Sequence, residues 1–255
     1  MSRWADRLAP VALIALLLAA WEMACRLLAI PEPILPAPSA VAVALAQNLP
    51  QLLASAWNTL VMAVWALGLA SVIGGSAALA VGLSPRLEKA ARPLATTIQV
   101  TPIVAIAPLF NIWAGLEHPE RAVAALAAAV AFFPIYSGVL GGLKATDPDL
   151  ERLFALYGAG RLQTLLRLRL SSAVPFMLQA LKVAAGLALV GAVVAEFVSG
   201  SGGAQGLAWR ISEAGHRLET AKMFAALLVL AVMGAILHGA LQAAEAVILK
   251  QWRGR

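Results

Sequence analysis

Six stretches of the chain are apolar almost without interruption, and short basic segments separate them. A helix that crosses a bilayer needs about 20 apolar residues at 1.5 Å rise each. The first stretch runs from Pro10 to Ile30, the second from Trp57 to Leu83 and the third from Pro93 to Leu116. The fourth covers Arg121 to Leu143, the fifth Val174 to Val198 and the sixth Lys222 to Leu249. Arg3 and Arg7 ahead of the first stretch resemble the start of a signal peptide. No small-x-small cleavage site follows cleanly, and the apolar character continues from Trp21 to Ile30, so this stretch reads as a retained helix. The pattern predicts an all-α membrane protein with six transmembrane helices.

Composition agrees. Of the 255 residues, 61% are apolar and 13% charged, against about 45–50% and about 25% in soluble domains. The net charge of +6 belongs to residues beside apolar runs, not to a basic stripe interleaved with aromatics. That favours basic loops of a membrane protein over a nucleic-acid surface. The single cysteine, Cys25, permits no intrachain disulfide. Glu22 stands where a lipobox needs an aliphatic residue, so Cys25 reads as a small apolar residue near a helix end.

Charge sets the expected orientation. One set of loops carries 13 Lys and Arg residues and the other carries five, with Lys182 left inside the fifth stretch. The positive-inside bias therefore places both termini in the cytoplasm. The expected organisation has three parts: residues 1–56, a first helix and an external segment; residues 57–249, the transmembrane core; and residues 250–255, a basic cytoplasmic tail. Pro31, Pro33, Pro36 and Pro38 predict an extended exit from the first helix, and Ser39 the start of a short interfacial helix. Gly200, Gly202, Gly203 and Gly206 predict an external re-entrant or surface element.

The cytoplasmic loop at 144–173 carries the most specific signal. Asp147 suits an N-cap, Pro148 the first helical position, and Asp149 and Glu151 the positive helix start. Leu150, Leu153, Phe154 and Tyr157 repeat at helical spacing and form an apolar stripe. Gly158 and Gly160 end this helix, and a second begins at Arg161 with Leu162, Leu165 and Leu166 to one side. Pro175 marks entry to the fifth span. Such a helix either lies on the bilayer surface or docks into a groove on a partner.

The stretch Gly158-Ala159-Gly160-Arg161-Leu162-Gln163-Thr164, followed by Pro175, resembles the Glu-Ala-Ala loop of binding-protein-dependent ABC permeases. Arg152 occupies the place of that motif's Glu, with Glu151 one position earlier, and Leu153 and Phe154 replace its alanines. Other segments resemble the nitrate/sulfonate/taurine permease family. They are Trp21-Glu22 with Leu35-Pro36-Ala37-Pro38-Ser39, Thr101-Pro102 through Phe110, and Gly186 through Phe197. The tail from Glu213 through Met223 to Leu227 is similar to permeases for pyrimidine precursors of thiamine. The resemblance implies a type I importer permease whose loop helix couples to a separate ATPase subunit through Leu150, Glu151, Leu153, Phe154, Tyr157, Gly158, Ala159, Gly160 and Arg161. It further implies a homodimer and an external substrate-binding protein, periplasmic or surface-anchored. The solute would be of nitrate, sulfonate, taurine or pyrimidine type.

No Gly-x-x-x-x-Gly-Lys-Ser/Thr sequence occurs, so ATP and Mg are expected on the partner and no cofactor on this chain. No His-Glu-x-x-His or Gly-x-Ser-x-Gly occurs either, and the chain is not expected to be an enzyme. His118, His216 and His238 lack metal-ligand spacing. An ion-gradient transporter is the alternative, although Glu22, Glu196 and Glu245 all lie near span ends. Candidate path residues are Gln99, Thr101, Pro102, Asn111, Lys182 and Glu196. Lys182 either faces the path or snorkels to the surface, and Glu196 meets the external loop or a docked binding protein. Pro102 and Pro108 are expected to kink the third span. The glycines Gly68, Gly74, Gly75 and Gly82 with Ser76, and the Gly138-x-x-x-Gly142 spacing, serve close packing within the subunit or a dimer contact.

Overall fold

The computed structural model describes residues 3–115, 118–199 and 205–253, and these residues are helical with turns and no strand. The helices are α1 (Arg3–Leu27), α2 (Pro38–Gly82), α3 (Pro85–Val100), α4 (Ile103–Ala114), α5 (Pro119–Lys144) and α6 (Pro148–Leu156). α7 (Arg161–Thr164) continues through a π turn, Leu165–Arg169, into α8 (Leu170–Ser199). α9 (Leu207–His216) and α10 (Thr220–Arg253) complete the chain. Gly200, Gly202 and Gly203 lie outside the described residues, so the element expected there is not placed.

Among the described residues four helices are long and apolar enough to cross a membrane, or five if a bent pair counts as one. α1 occupies the place of the first expected span. The expected count of six is not reproduced exactly, and the third stretch, expected as one span kinked by Pro102 and Pro108, is divided in two. There α3 and α4 are separate helices, and their axes bend by 98° across the break at Thr101-Pro102. Pro102 lacks the N–H that would continue α3, and it biases Thr101 away from helical geometry; Thr101 has ψ 122°. Pro108 sits inside α4 without ending it. The break is therefore a corner, not a kink, and one proline makes it.

Two other boundaries move. No separate interfacial helix starts at Ser39: α2 runs unbroken for 45 residues from Pro38, roughly 68 Å at helical rise. The fifth span is entered well before Pro175. The helix from Arg161 to Val198 is continuous for 38 residues, with Pro175 inside α8. The π turn relieves the register there, and Leu165 and Leu168 are buried while Leu162 and Leu166 are exposed. The three leucines expected on one side are thus divided between two faces.

The described chain forms two compact units. The smaller comprises Met1–Trp57 and Gln205–Val232. Its proline segment is not extended. It folds back in turns, with the Ile34 N–H donating to Pro31 O at 2.9 Å and Pro36 fully buried. Glu22 explains the Trp-Glu…Pro-Ser pattern: its carboxylate accepts from the Ser39 N–H at 3.0 Å and from Ser39 Oγ at 2.8 Å. An acidic side chain from α1 so caps the start of α2, where free N–H groups and the helix dipole favour a negative charge. Thr220 Oγ1 donates to Pro33 O at 2.9 Å, and Trp21 packs on Phe224 with ring centroids 5.8 Å apart. Cys25 is buried in α1.

The larger unit comprises Asn58–Ala204 and Met233–Arg255. Its centre is the contact of α5 with α8, an alanine- and glycine-lined seam. A Cβ added at Gly138 would lie 2.3 Å from the Cβ of Ala180, and one at Gly142 would lie 2.9 Å from the Cα of Ala173. The Gly138-x-x-x-Gly142 face is therefore spent on packing within the subunit. Without water to drive association, such close backbone approach is what holds membrane helices together. Gly74 meets Phe132 and Ile135, and Gly82 meets Leu143, whereas Gly68 and Gly75 face open space.

Candidate functional site

The loop helix α6 begins as its sequence dictates. Asp147 Oδ1 accepts from the Asp149 N–H at 2.8 Å, and Pro148 occupies the first turn. It ends on Gly158, whose φ of +72° is the left-handed conformation that glycine adopts without a Cβ penalty. The Gly158 N–H donates to Ala155 O and the Ala159 N–H to Phe154 O, both at 3.0 Å. This paired closure satisfies carbonyls that the last turn would otherwise leave open. Gly160 follows in an extended conformation as the N-cap of α7.

No residue of α6 is buried. Leu150 and Leu153 are exposed, Phe154 is half-buried, and Tyr157 is 83% exposed. Leu156 is 85% exposed, more than any residue of the expected stripe, and sequence reading passed over it. Its signal was present: it stands three residues after Leu153, a helical neighbour. With Leu162 and Leu166, also exposed, the loop shows an apolar surface that none of the described residues covers. Arg161 is exposed, and Ala159 is half-buried.

Glu151 does not join that surface. Its two oxygens accept from Arg169 Nε at 2.7 Å and Nη2 at 3.1 Å, a bidentate bond across 18 positions. Arg152, in the place of the Glu of the motif the loop resembles, instead donates to Asp149 at 2.9 Å on the open side. The pair fastens α6 to the π turn that leads into α8. A cavity of about 470 Å³ lies beside it, lined by Glu88, Lys144, Glu151, Arg161 and Arg169 among others. Glu88 in turn bonds Lys144 and Arg92.

The expected path residues separate into two groups. Gln99 and Thr101, at the end of α3 and in the break, line a cavity of about 770 Å³ among α2, the α3–α4 pair, α5 and α8. Pro102 makes the break itself. Asn111, Lys182 and Glu196 are not among its lining residues. Lys182 bonds Glu245 of α10, with both side chains less than one-fifth exposed. It is thus half of an ion pair between two helices, not a cation snorkelling outward. Glu196 is 4% exposed and accepts from Thr59 Oγ1 at 2.8 Å. Sequence reading missed the aromatic walls of the cavity, Phe110, Phe132 and Phe133. They lie on three separate positions of two helices that only the fold brings together. Among the described residues no group of three or more His, Cys, Asp or Glu side chains is placed to hold a metal ion.

Residues 70–248 match the family model of the binding-protein-dependent transport system inner membrane component. The chain is similar to a formylaminopyrimidine transport permease protein of Halalkalibacterium halodurans, 29% identical over 255 residues and 99% of each chain. It is 30% identical to a probable ABC transporter permease protein of Haemophilus influenzae over 231 residues, 91% of this chain and 92% of that one. The taurine transport system permease protein of Escherichia coli is 28% identical over 204 residues, 80% of this chain and 71% of that one.

Proposed function

Since the chain belongs to the family of binding-protein-dependent transport system inner membrane components and is an ABC transporter permease subunit, we propose that α6 and the turn after it are the handle by which a separate ATPase moves it. The observation that carries this is the loop's own division of labour. Leu150, Leu153, Leu156 and Tyr157 face away from the chain, while Glu151 ties the same helix to the lead-in of α8. A short amphipathic helix with exposed anchors at i, i+3 and i+4 suits a groove on a partner protein. Gly158, Ala159, Gly160 and Arg161 set the angle at which it is presented.

In this reading ATP and Mg bind the partner, and this chain has no catalytic site of its own. Closure of two ATPase subunits pulls α6, and the pull reaches the helices around the cavity, which open to the other side in turn. Two copies of the chain form the pore, because one set of spans encloses too little. Both termini face the cytoplasm. Residues 1–56 serve as the outer anchoring segment, 57–249 as the moving core and 250–255 as a basic tail. The solute is a small organic molecule delivered by an external binding protein. The named solutes of the relatives, a formylaminopyrimidine and taurine, indicate that size. The family match favours this over the gradient-driven alternative.

The test is reconstitution of the permease with its ATPase and binding protein in liposomes, compared with a Gly158→Val variant. Valine has room at this position, but a β-branched residue at φ +72° is strained by about 1–2 kcal/mol. The variant is expected to insert normally and to hydrolyse ATP without matching uptake, or to lose the ATPase subunit on purification. Unchanged ATP-driven uptake by this variant, or uptake without any ATPase, sinks the assignment.

A further inference from the structure

We propose that the cavity at the α3–α4 corner is a binding site for a neutral, flat heteroaromatic solute, and that it rejects sulfonates and other charged solutes. This rests on the permease reading above and deepens it. The cavity, about 770 Å³, falls within the about 300–1,000 Å³ usual for small-molecule sites.

Its chemistry is one-sided. Among the described residues no Asp, Glu, Lys, Arg or His side chain lines it. The two intramembrane candidates for a counter-charge are engaged elsewhere, Lys182 by Glu245 and Glu196 by Thr59. A sulfonate that left water for this lining would give up its hydration with no cation to replace it, and a buried unpaired charge is among the most expensive things a protein can hold. Taurine, with two charges, fares no better.

A neutral heterocycle meets a different surface. Phe110, Phe132 and Phe133 supply ring faces, and aliphatic side chains such as Ile73 and Val190 fill the rest. Aromatic faces favour a flat π system in stacked or edge-on contact. The Gln99 amide both donates and accepts, so it can read a ring nitrogen and an adjacent amino group. Thr101 Oγ1 donates to Thr97 O at 2.6 Å, which leaves its lone pairs to accept. The backbone at the corner is already engaged, the Thr101 N–H by Thr97 O at 3.1 Å and Pro102 O by the Ala105 N–H at 3.0 Å, so the polar contacts fall to the two side chains. One amide and one hydroxyl in an aromatic-walled cavity fit a ring that carries both donor and acceptor edges and no charge.

The test measures direct binding to the purified permease–ATPase complex in lipid nanodiscs, with the binding protein left out so that its own selectivity does not enter. Radiolabelled 4-aminopyrimidine, ethanesulfonate and taurine are equilibrated with it in turn. Saturable binding of 4-aminopyrimidine is expected. Gln99→Leu should weaken it about tenfold, as loss of a hydrogen bond to the solute does, and Ala129→Phe, which fills the cavity from its wall, should abolish it. Neither sulfonated probe should compete. Saturable binding of ethanesulfonate or taurine overturns the proposal, as does 4-aminopyrimidine binding indifferent to both variants. A complex that hydrolyses ATP yet retains none of the three probes also overturns it while leaving the permease reading intact. Failure of the ATPase to associate at all would instead strike that prior reading.

Discussion

Reversing the Glu151–Arg169 pair offers the sharpest probe of how α6 is joined to the helices it would drive. The bond is bidentate, at 2.7 and 3.1 Å, and each side chain is about one-third exposed (33% and 34%). Exposed pairs contribute about 0.2–1 kcal/mol, and buried ones cost about 3–5 kcal/mol when one partner is removed. A charge-assisted fork at intermediate exposure sits between these, at about 1–2 kcal/mol. That is a factor of about 5–30 in the population of the fastened state. Glu151→Arg goes further. It faces one guanidinium with another, and at an effective dielectric of about 20 this repulsion reaches at most about 4 kcal/mol at 4 Å. The helix would then ride loose on its linkers.

The assay is the number of ATP molecules hydrolysed per solute imported by proteoliposomes holding the whole complex. Glu151→Arg and Arg169→Glu should each raise that ratio several-fold while the ATPase still copurifies, because the exposed face proposed to dock, on the far side of α6, is untouched. The double variant restores attraction with the charges exchanged, and it should return the ratio most of the way to its starting value. A role in folding alone would lower the yield without changing the ratio. Single variants that couple normally, or a double variant no better than either single, refute the idea that this bond carries force.

Two further outcomes follow from the packing. Gly138→Ala would place its Cβ 2.3 Å from that of Ala180, and overpacking of this kind costs about 1–3 kcal/mol; the thermal midpoint in detergent should fall, and the Gly138→Ala/Ala180→Gly pair should recover much of the loss. Lys182→Met would leave the Glu245 carboxylate without its cation at 17% exposure, a loss of about 2–3 kcal/mol given partial access to water; Lys182→Met/Glu245→Gln should be closer to the native midpoint than Lys182→Met, and equal midpoints would show that the pair holds nothing.

What the sequence disclosed follows from the range of each signal. Apolar runs are local, so α5 and α10 were legible to within a few residues of their ends. The caps of α6 were equally local: Asp147 and Gly158 act on backbone groups within four positions of themselves. Pro102 was correctly marked as a disturbance, but a proline in a pattern fixes only the lost N–H, and whether the chain bends slightly or turns a corner depends on what packs behind it. Leu165 was misassigned because neighbouring helical positions lie about 100° apart, so it and Leu166 take different faces at the start of the π turn. Glu151 was legible as a helix-start acid, and its partner was not. Arg169 is 18 positions away, and nothing in the spacing selects it over Arg161 or Arg167.

The long-range bonds of the larger unit also indicate which parts move together. The α5–α8 seam closes so tightly at Gly138, Gly142 and Gly191 that these helices have no room to slide, and packed cores shift as bodies instead of deforming. Lys182 adds the end of α10 to that body through Glu245. Arg169 delivers α6 to the same body at its lead-in. The α3–α4 pair is held differently. It is tied to α5 through Glu88 and Lys144, but it turns its own corner at Thr101-Pro102, where Pro102 has no N–H to carry the helical ladder across. A pull on α6, as proposed above, would therefore reach α8 and α5 as one unit, with the corner left to yield. The residues at that corner are Gln99 and Thr101, so a motion that reoriented the cavity would also alter the polar edge offered to whatever occupied it. A solute held by one amide and stacked rings can be released by a small turn of that corner, whereas a solute held by a buried ion pair could not.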